Sequence, residues 1–315
     1  GLGVAFAFKT GLFNIGAEGQ FIMGSVAATV VGILFDFPPV IQIPLVLSAG
    51  VAAGAVYGGI AGFLKAKFGI DEVLTSIMLN WIALYFSNYV CGLNRFHKPD
   101  TIGTYAINRS GYTMILGNYK ATEEGKAALA QNEFLRSTIL KTDVNAGFII
   151  AIVLAVLISF LLYKTAKGFE LRAVGSNRFA AEFSGIYVNR NILHSMLISG
   201  AICGLAAALY ITGNSPHGIA TLAAFENTGF NGLAVCLIAA SSPIGCIFAG
   251  LLFGGLIYGG QTLQYEVGAP SEIINIVIGV IVFFVALTHI IPPLVERLRK
   301  VPLGKPGRNV SKGGK

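Results

Sequence analysis

Long apolar runs alternate with short polar connections along the whole chain. About 20 apolar residues in a helix cross the roughly 30 Å hydrocarbon layer of a bilayer. Residues 1–8 have the composition of the end of an earlier span. The pattern predicts an all-α, polytopic membrane helix bundle with about nine spans, forming one transmembrane domain over residues 1–315. The complete runs lie at roughly 17–35, 40–64, 73–92, 146–163, 193–212, 227–241, 244–261 and 272–291.

The composition supports a membrane protein. Hydrophobic residues make up 54% of the chain and charged residues 12%, and the mean hydropathy is +0.72. A soluble domain carries about 25% charged residues. The 40 glycines suit a bundle whose helices approach closely. Because the chain is apolar from its first residue and does not begin with Met, we expect at least one further helix before Gly1, making about ten spans in the full-length chain.

The basic residues predict which connections lie in the cytoplasm. Lys and Arg occur in 164–192 and in the tail 293–315, whereas the short loops 35–40, 213–226 and 262–271 contain none. Cytoplasmic loops carry an excess of Lys and Arg. We therefore expect the segment 164–192 and the basic tail 293–315 to be cytoplasmic. The long loop 93–145 is then external, and we expect it to form an ordered cap with one helix. The formal charge of +7 reflects this placement rather than binding to nucleic acid.

Several amides and one carboxylate lie inside or at the start of apolar runs. Polar residues at membrane depth tend to face the bundle interior or a water-filled path. The same residues also suit helix caps and interhelical hydrogen bonds, so both interpretations stand. Phe230-Asn231-Gly232 loosely repeats Phe13-Asn14-Ile15-Gly16 in a span of opposite direction, which is typical of an inverted repeat. The candidate path-lining residues are Asn14, Glu18, Gln20, Asn80, Asn227 and Asn231.

Between two spans lies a short polar segment, ELRAVGSNRFAAEFSGI, at residues 170–186. It is too short to be a soluble domain, and Ser176 or Asn177 is suited to cap a helix within it. No P-loop and no HExxH motif occurs in the chain, and its four histidines are scattered. We therefore expect neither a catalytic site nor a metal site, and the four cysteines fit small buried hydrophobic residues.

Four segments together carry a resemblance: FNIGAEGQ, DEVLTSIMLN, LRAVGSNRFAAEFSGI and GFNGLAVCLIAASSPIG. The chain resembles the permease subunits of ABC importers for nucleosides, in a group that also serves ribose-type sugars and branched-chain amino acids. The resemblance implies a fold similar to the cobalamin importer, with inverted repeats, in a multi-pass protein of the bacterial cell membrane. It implies no enzyme activity and no cofactor in this chain, since ATP is hydrolysed on a separate subunit.

The same resemblance implies the partners. A cytoplasmic ABC ATPase would dock on 164–192, an external lipoprotein or periplasmic binding protein would deliver the substrate, and a second, different permease would complete a heterodimer. Lipid surrounds the bundle, and no nucleic acid is involved. A helix resting on anionic lipid is the alternative for this segment, although it has few basic residues. The implied ATPase-coupling residues are Arg172, Gly175, Ser176, Asn177, Arg178, Phe179, Ala180, Ala181, Phe183 and Gly185.

The sequence thus leads to one expectation and three alternatives. We expect import of nucleosides, purines first, because FNIGAEGQ is similar to the nucleoside branch. A ribose-type sugar permease changes only the cargo. A secondary transporter would work without ATP, and a membrane scaffold would transport nothing.

Overall fold

The computed structural model describes residues 1–115, 122–133, 145–268 and 275–284 and the single residues 270, 273 and 287. In these residues the regular structure is helical, and β-pairing is limited to isolated bridges. Five helices are long and apolar enough to cross a membrane. They are α2 (Ala17–Leu34), α3 (Pro39–Phe68), α4 (Glu72–Cys91), α6 (Gly147–Lys164) and α9 (Val188–Gly213). These five confirm the expectation of an all-α, polytopic chain.

The remaining helices are shorter or less clearly spanning. They are α1 (Leu2–Lys9), α5 (Glu123–Ala130), α7 (Ala166–Ser176), α8 (Arg178–Phe183), α10 (Thr228–Ile238), α11 (Gly245–Val267) and α12 (Asn275–Phe284). The predicted run 227–241 is a helix of only 11 residues, too short to cross a bilayer. The chain divides into two units, Gly1–Gly255 and Leu256–Lys315. The predicted tail 293–315 and residues 116–121 and 134–144 of the predicted external loop lie outside the described residues.

Glycines set the spacing of the central helices. In α3, Gly50, Gly54 and Gly58 recur every fourth residue and so share one face of the helix. That face meets Gly200 and Gly204 of α9. A Cβ atom at Gly200 would overlap the carbonyl oxygen of Gly54, and one at Gly204 would overlap that of Gly50. The two backbones therefore touch, which gives van der Waals packing between membrane helices that no larger residue permits.

The connection from α3 to α4 marks one end of the bundle. Gly69 ends α3 in the left-handed region at φ 69°, and Asp71 caps α4 by accepting from the N–H groups of Val73 (2.9 Å) and Leu74 (3.2 Å). Lys65 forms an ion pair with Glu72 across the connection. We call this end, which also holds α7 and α8, the basic end.

Candidate functional site

A break between α1 and α2 places a polar network inside the bundle. Asn14 lies in the break and is fully buried. Its Nδ2 donates to Ser199 Oγ at 2.7 Å and to Gln20 Oε1 at 3.0 Å, and its Oδ1 accepts from the N–H of Gly16 at 3.1 Å. Ser199 in turn donates to the carbonyl oxygen of Gly3 at 2.7 Å. Side chains from the break and from α9 thus satisfy buried backbone groups of Gly16 and Gly3.

Asn80 of α4 holds the first turn of α2. Its Oδ1 accepts from the N–H of Gly19 at 2.8 Å, and its Nδ2 donates to the carbonyl oxygen of Ile15 at 3.1 Å. A Cβ atom at Gly19 would lie 2.8 Å from the same Oδ1, so only glycine allows this approach. Asn80 is the ninth of the 20 residues of α4 and so lies close to its middle. The start of α2, which Asn80 contacts, therefore lies deep in the bundle.

The short helix α10 begins at this same depth. Its 11 residues span about 16 Å, half of a bilayer core. Asn227, the residue before it, is in the left-handed region and gives no side-chain cap. Glu18 of α2 supplies the cap instead, since its Oε2 accepts from the N–H groups of Gly229 (2.5 Å) and Phe230 (3.3 Å). With 1% of its surface exposed, this carboxylate joins two helix starts and complements both helix dipoles.

A non-helical segment leads down to α10 from the end of the bundle opposite the basic end. Near its start, the carbonyl oxygen of His217 accepts from the N–H of Ile107 at 2.9 Å. The carbonyl oxygen of Ile219 accepts from the N–H of Thr104, also at 2.9 Å. Further along, Asn88 of α4 donates to the carbonyl oxygen of Leu222 (2.8 Å) and accepts from its N–H (3.0 Å).

The segment continues to the middle of α4. The ring of Phe225 lies 4.6 Å from that of Trp81, centroid to centroid, seven residues below Asn88 on α4. Non-helical backbone at membrane depth is tolerated where protein buries it or where it lines a water-filled cavity. We call α10 the half-helix. The half-helix and the non-helical segment before it are therefore the part of the bundle best suited to line a path across the membrane.

A cavity of about 320 Å³ lies on another side of the half-helix. It is bounded by α1, α2, α6, α9, α10 and α11, and residues such as Phe21, Leu154 and Ile202 give it an apolar lining. Such a lining suits hydrocarbon rather than a polar solute.

The segment 164–192 folds as two short helices at the basic end. Asn177 ends α7 and caps α8, since its Oδ1 accepts from the N–H of Ala180 at 3.1 Å. Phe183 and Phe179 are 97% and 84% exposed. Beside them a groove of about 260 Å³ is lined by Phe169, Ala173, Ser176, Asn177, Ala180, Ala181, Ser184 and Ile186. We call this groove with Phe179 and Phe183 the coupling surface.

The coupling surface rests directly on the break between α1 and α2. A Cβ atom at Gly175 would overlap the carbonyl oxygen of Lys9, and Gly11 adopts φ 71° where it meets Gly175. Leu12 shares a buried cluster with Val174 and Ala181. A displacement of α7 is therefore transmitted to the chain that leads into Asn14, because close-packed groups move together.

Charged groups tie the coupling surface to the spans. Arg172 donates through Nε to the carbonyl oxygen of Leu162 at 2.9 Å, and its guanidinium lies 5.3 Å from the ring centroid of Tyr163. Glu170 pairs with Lys167 at 2.9 Å and accepts from the amide of Asn191 in α9 at 3.2 Å. The hydrogen bond from Lys167, and then that from Asn191, lowers the pKa of the Glu170 carboxyl group.

Comparison with known proteins identifies the chain. The profile of the family described as branched-chain amino acid transport system / permease component matches residues 1–286. The chain belongs to this permease family. It is 40% identical over 300 residues to the guanosine ABC transporter permease protein NupP of Bacillus subtilis (strain 168), covering 95% of this chain and 80% of that protein.

Two further relatives are a nucleoside permease and a sugar permease. The nucleoside ABC transporter permease protein NupB of Lactococcus lactis subsp. cremoris is 35% identical over 302 residues, covering 95% of this permease and 79% of NupB. The glucose ABC transporter permease protein TsgB13 of Haloferax volcanii is 31% identical over 284 residues, covering 90% and 71%. No solved structure matches the permease. Membership of the family and the five long apolar helices make it a multi-pass membrane protein and a transporter component rather than an enzyme.

The permease brings four of the six candidate path residues together. Asn14, Glu18, Gln20 and Asn80 are all buried, and each has a hydrogen bond within the bundle. Asn227 is exposed at the start of α10, and Asn231 is half-buried one turn later. Their assignment to the path stays a prediction.

The structure adds residues that the sequence pattern did not single out. Ser199 completes the Asn14 network, Asn88 holds the descending segment, and Trp81 packs on Phe225. A signal existed for Asn88, which is an amide inside an apolar run. Ser199 carried none, because serine is common among close-packed membrane helices.

The residues predicted to couple to an ATPase separate into exposed and packed groups, and their coupling role stays a prediction. Of the two predicted cap residues, Asn177 caps α8, and Ser176 is the last residue of α7. Ala180 lines the groove, and Gly185 follows the end of α8 in the left-handed region at φ 83°. Arg178 reaches the carbonyl oxygen of Gly11 at 3.4 Å. Arg172 also donates within the chain, so both arginines hold the surface in place whatever they contact outside it.

Proposed function

We propose that the chain is the transmembrane permease subunit of an ATP-driven ABC importer that translocates nucleosides, purine nucleosides first. The observation that carries this proposal is the 40% identity to a guanosine permease along 95% of the chain. The nucleoside relative from Lactococcus supports the same cargo. In this function the chain does no covalent chemistry on its substrate.

The full-length subunit in this proposal has about ten spans and a cobalamin-importer-like fold with inverted repeats. Its basic end, with the coupling surface and the tail 293–315, faces the cytoplasm, which the distribution of Lys and Arg supports. The loop 93–145 lies outside the cell and contributes to docking of the substrate-binding protein. A second, different permease subunit faces this one across the path.

Energy enters at the coupling surface. An ABC ATPase binds at the groove between α7 and α8, where Phe179 and Phe183 of the permease provide apolar contacts. In this mode of recognition the apolar face of a helix packs into a hydrophobic groove of the partner. Closure of the ATPase pair moves α7 as a rigid body. Gly175 then pushes the turn at Gly11, and the motion reaches the break that holds Asn14.

The candidate path residues divide their roles in this mechanism. Asn14, Gln20 and Asn80 hold the start of α2 after the break, and Glu18 holds the start of α10. Backbone at half depth can therefore face the path without leaving N–H or C=O groups unpaired. Asn227 and Asn231 lie on the substrate side and contact ribose hydroxyls or base edges transiently. Weak, multiple contacts suit a path through which the substrate must also leave.

A ribose-type or other simple sugar is the second candidate cargo, favoured by the 31% identity to a glucose permease. A competition assay separates the two. The permease is reconstituted with its cognate ATPase, second permease and binding protein, and uptake of labelled guanosine is measured. We expect excess inosine or adenosine to compete and ribose or glucose not to compete. Uptake of labelled ribose in the absence of any nucleoside uptake would assign the chain to the sugar branch.

A further inference from the structure

An aromatic cluster lies beside the half-helix, outside the polar network. Trp81 of α4 packs on Phe225 with ring centroids 4.6 Å apart and stacks on Tyr85 with centroids 6.1 Å apart at 26°. Phe225 in turn meets Phe230, the third residue of α10, edge to face at 5.9 Å. We call these four residues the aromatic platform. The platform connects the exposed face of α4 to the start of the half-helix.

The platform is open on one side. Trp81 and Tyr85 are 42% and 65% exposed. They belong to one face of α4, since exposed residues recur every three or four positions at Leu74, Met78, Trp81, Tyr85 and Tyr89. The opposite face of α4, with Asn80 and Leu84, is buried in the bundle. Whatever covers the exposed face must suit both aromatic rings and their polar tips.

Depth argues against lipid as that cover. Trp81 is the tenth of the 20 residues of α4, about 14 Å from its start and so at half depth in a bilayer core. Lipid-facing Trp and Tyr concentrate at the two membrane interfaces, where the indole N–H and the phenol O–H meet polar groups. Hydrocarbon at half depth offers these donors no partner.

Charge argues against a dry subunit contact. Glu226, Asn227 and Thr228 are exposed and follow Phe225 directly. A carboxylate sealed in an apolar interface without a partner is strongly unfavourable. Beside the platform the environment must therefore hold water or a polar solute. A planar aromatic ring with hydrogen-bonding edges, linked to a hydroxylated sugar, fits such a surface.

From this arrangement we propose that the aromatic platform is a stacking subsite for the nucleobase in the translocation path, with Trp81 as the principal ring and Glu226, Asn227 and Thr228 facing the ribose hydroxyls. The inference rests on the proposed nucleoside cargo. Stacking on an aromatic ring tolerates different bases, because every base has a π-face. It therefore suits a step that must pass several nucleosides without holding any of them tightly.

Substitution of Trp81 tests the subsite in the complete importer. We expect Trp81→Leu to lower guanosine uptake by about tenfold, near the lower part of the range that loss of one base–aromatic stack produces, and Trp81→Phe to retain most of it. Tyr89→Leu, on the same exposed face but near the end of α4, is the matched control and should transport normally. Basal ATP hydrolysis should be unchanged in Tyr89→Leu, because Tyr89 lies near the end of α4 that is far from the basic end.

The outcomes separate the subsite from the cargo. If wild type itself takes up no nucleoside, the proposed function fails. If wild type transports and Trp81→Leu transports equally well, the subsite is refuted while the function stands. If Trp81→Leu loses uptake and Trp81→Phe does not restore it, the loss is structural and the stacking role is overturned.

Tryptophan fluorescence tests the subsite without the Trp81→Leu variant, which could fail to fold. Trp81 is the single tryptophan of the chain, so the difference between wild-type and Trp81→Phe complexes in nanodiscs isolates its emission. We expect guanosine to quench that emission and lipids with brominated acyl chains to leave it nearly unchanged. Strong quenching by brominated lipid without any effect of guanosine would show that Trp81 faces the bilayer and would overturn the proposal.

Discussion

Glu18 has an environment unlike ordinary membrane packing, since its carboxyl group is buried with 1% of the residue's surface exposed. A carboxylate deep among apolar helices is costly unless hydrogen bonds satisfy it. Here the N–H groups of Gly229 and Phe230 do so, and these are donors that α10 cannot satisfy within itself. One side chain thus removes two unfavourable groups at once and fixes where the half-helix begins.

Removing this cap should destabilise the bundle. We expect Glu18→Ala to lower the stability by about 1–3 kcal/mol, the usual cost of leaving buried donors unpaired, and Glu18→Gln to lose less because its amide oxygen still accepts. The midpoint of thermal unfolding of the purified complex measures this. Glu226→Ala, which removes an exposed carboxylate nearby, should leave that midpoint unchanged. Equal midpoints for Glu18→Ala and wild type would show that the cap contributes nothing.

Asn88 has a similar role for the segment before α10. It pairs with both backbone groups of Leu222, as a neighbouring strand would. We expect Asn88→Leu to destabilise the protein by about 1–3 kcal/mol and to reduce uptake, since an N–H and a C=O lose their partners at membrane depth. The neighbouring exposed Tyr89→Leu should have little effect on thermal unfolding. A stable, fully active Asn88→Leu permease would contradict the role assigned to this amide.

At the scale of elements, α3 and α9 depend on their shared glycine contact. We expect Gly200→Ala to cost about 1–3 kcal/mol through overpacking, because the new Cβ meets the carbonyl oxygen of Gly54. Gly250→Ala in α11 is the control, since a Cβ atom there has nothing within 4 Å. Thermal unfolding and yield after membrane extraction compare the two variants. If both behave as wild type, the two backbones are less closely packed than described.

The coupling surface permits a test that leaves the fold intact. Phe183 is almost fully exposed, so Phe183→Asp should not affect folding but should uncouple the ATPase, whereas Phe183→Leu should retain coupling. Substrate-stimulated ATP hydrolysis and uptake are the measurements. We also expect Gly175→Trp to uncouple, since it separates α7 from the turn at Gly11. Normal stimulated hydrolysis and uptake in both Phe183→Asp and Gly175→Trp would mean that the ATPase docks elsewhere.

The sequence predicted the long elements well and the broken one poorly. Hydropathy over 18 or more residues is unambiguous, and the five long apolar helices lie where the pattern placed them. The run 227–241 is shorter and begins with polar residues, and only Thr228–Ile238 is helical. Its start is fixed by Glu18, more than 200 residues away, and no local pattern reports a cap from another helix.

The candidate site shows the same division. Asn14 and Asn80 stood out because they interrupt apolar runs, and in the structure the side chains of both bond to the start of α2. Trp81 and Phe225 did not stand out, since aromatic residues are ordinary in such runs. Only the path of the chain brings them together at half depth.

For the whole molecule, we propose that the permease is a passive path that is driven from its basic end. The contact from the coupling surface through Gly175 and Gly11 to the break at Asn14 is short and continuous, so a movement of α7 acts on the region where two helices begin.

The most direct test measures guanosine accumulation in proteoliposomes that contain the permease, its partner permease, the ATPase and the binding protein. We predict that guanosine reaches a higher concentration on the far side of the membrane only with ATP present, and that an ATPase variant unable to hydrolyse ATP abolishes this accumulation. Accumulation driven by an ion gradient without the ATPase, or none in the complete system, would contradict the account.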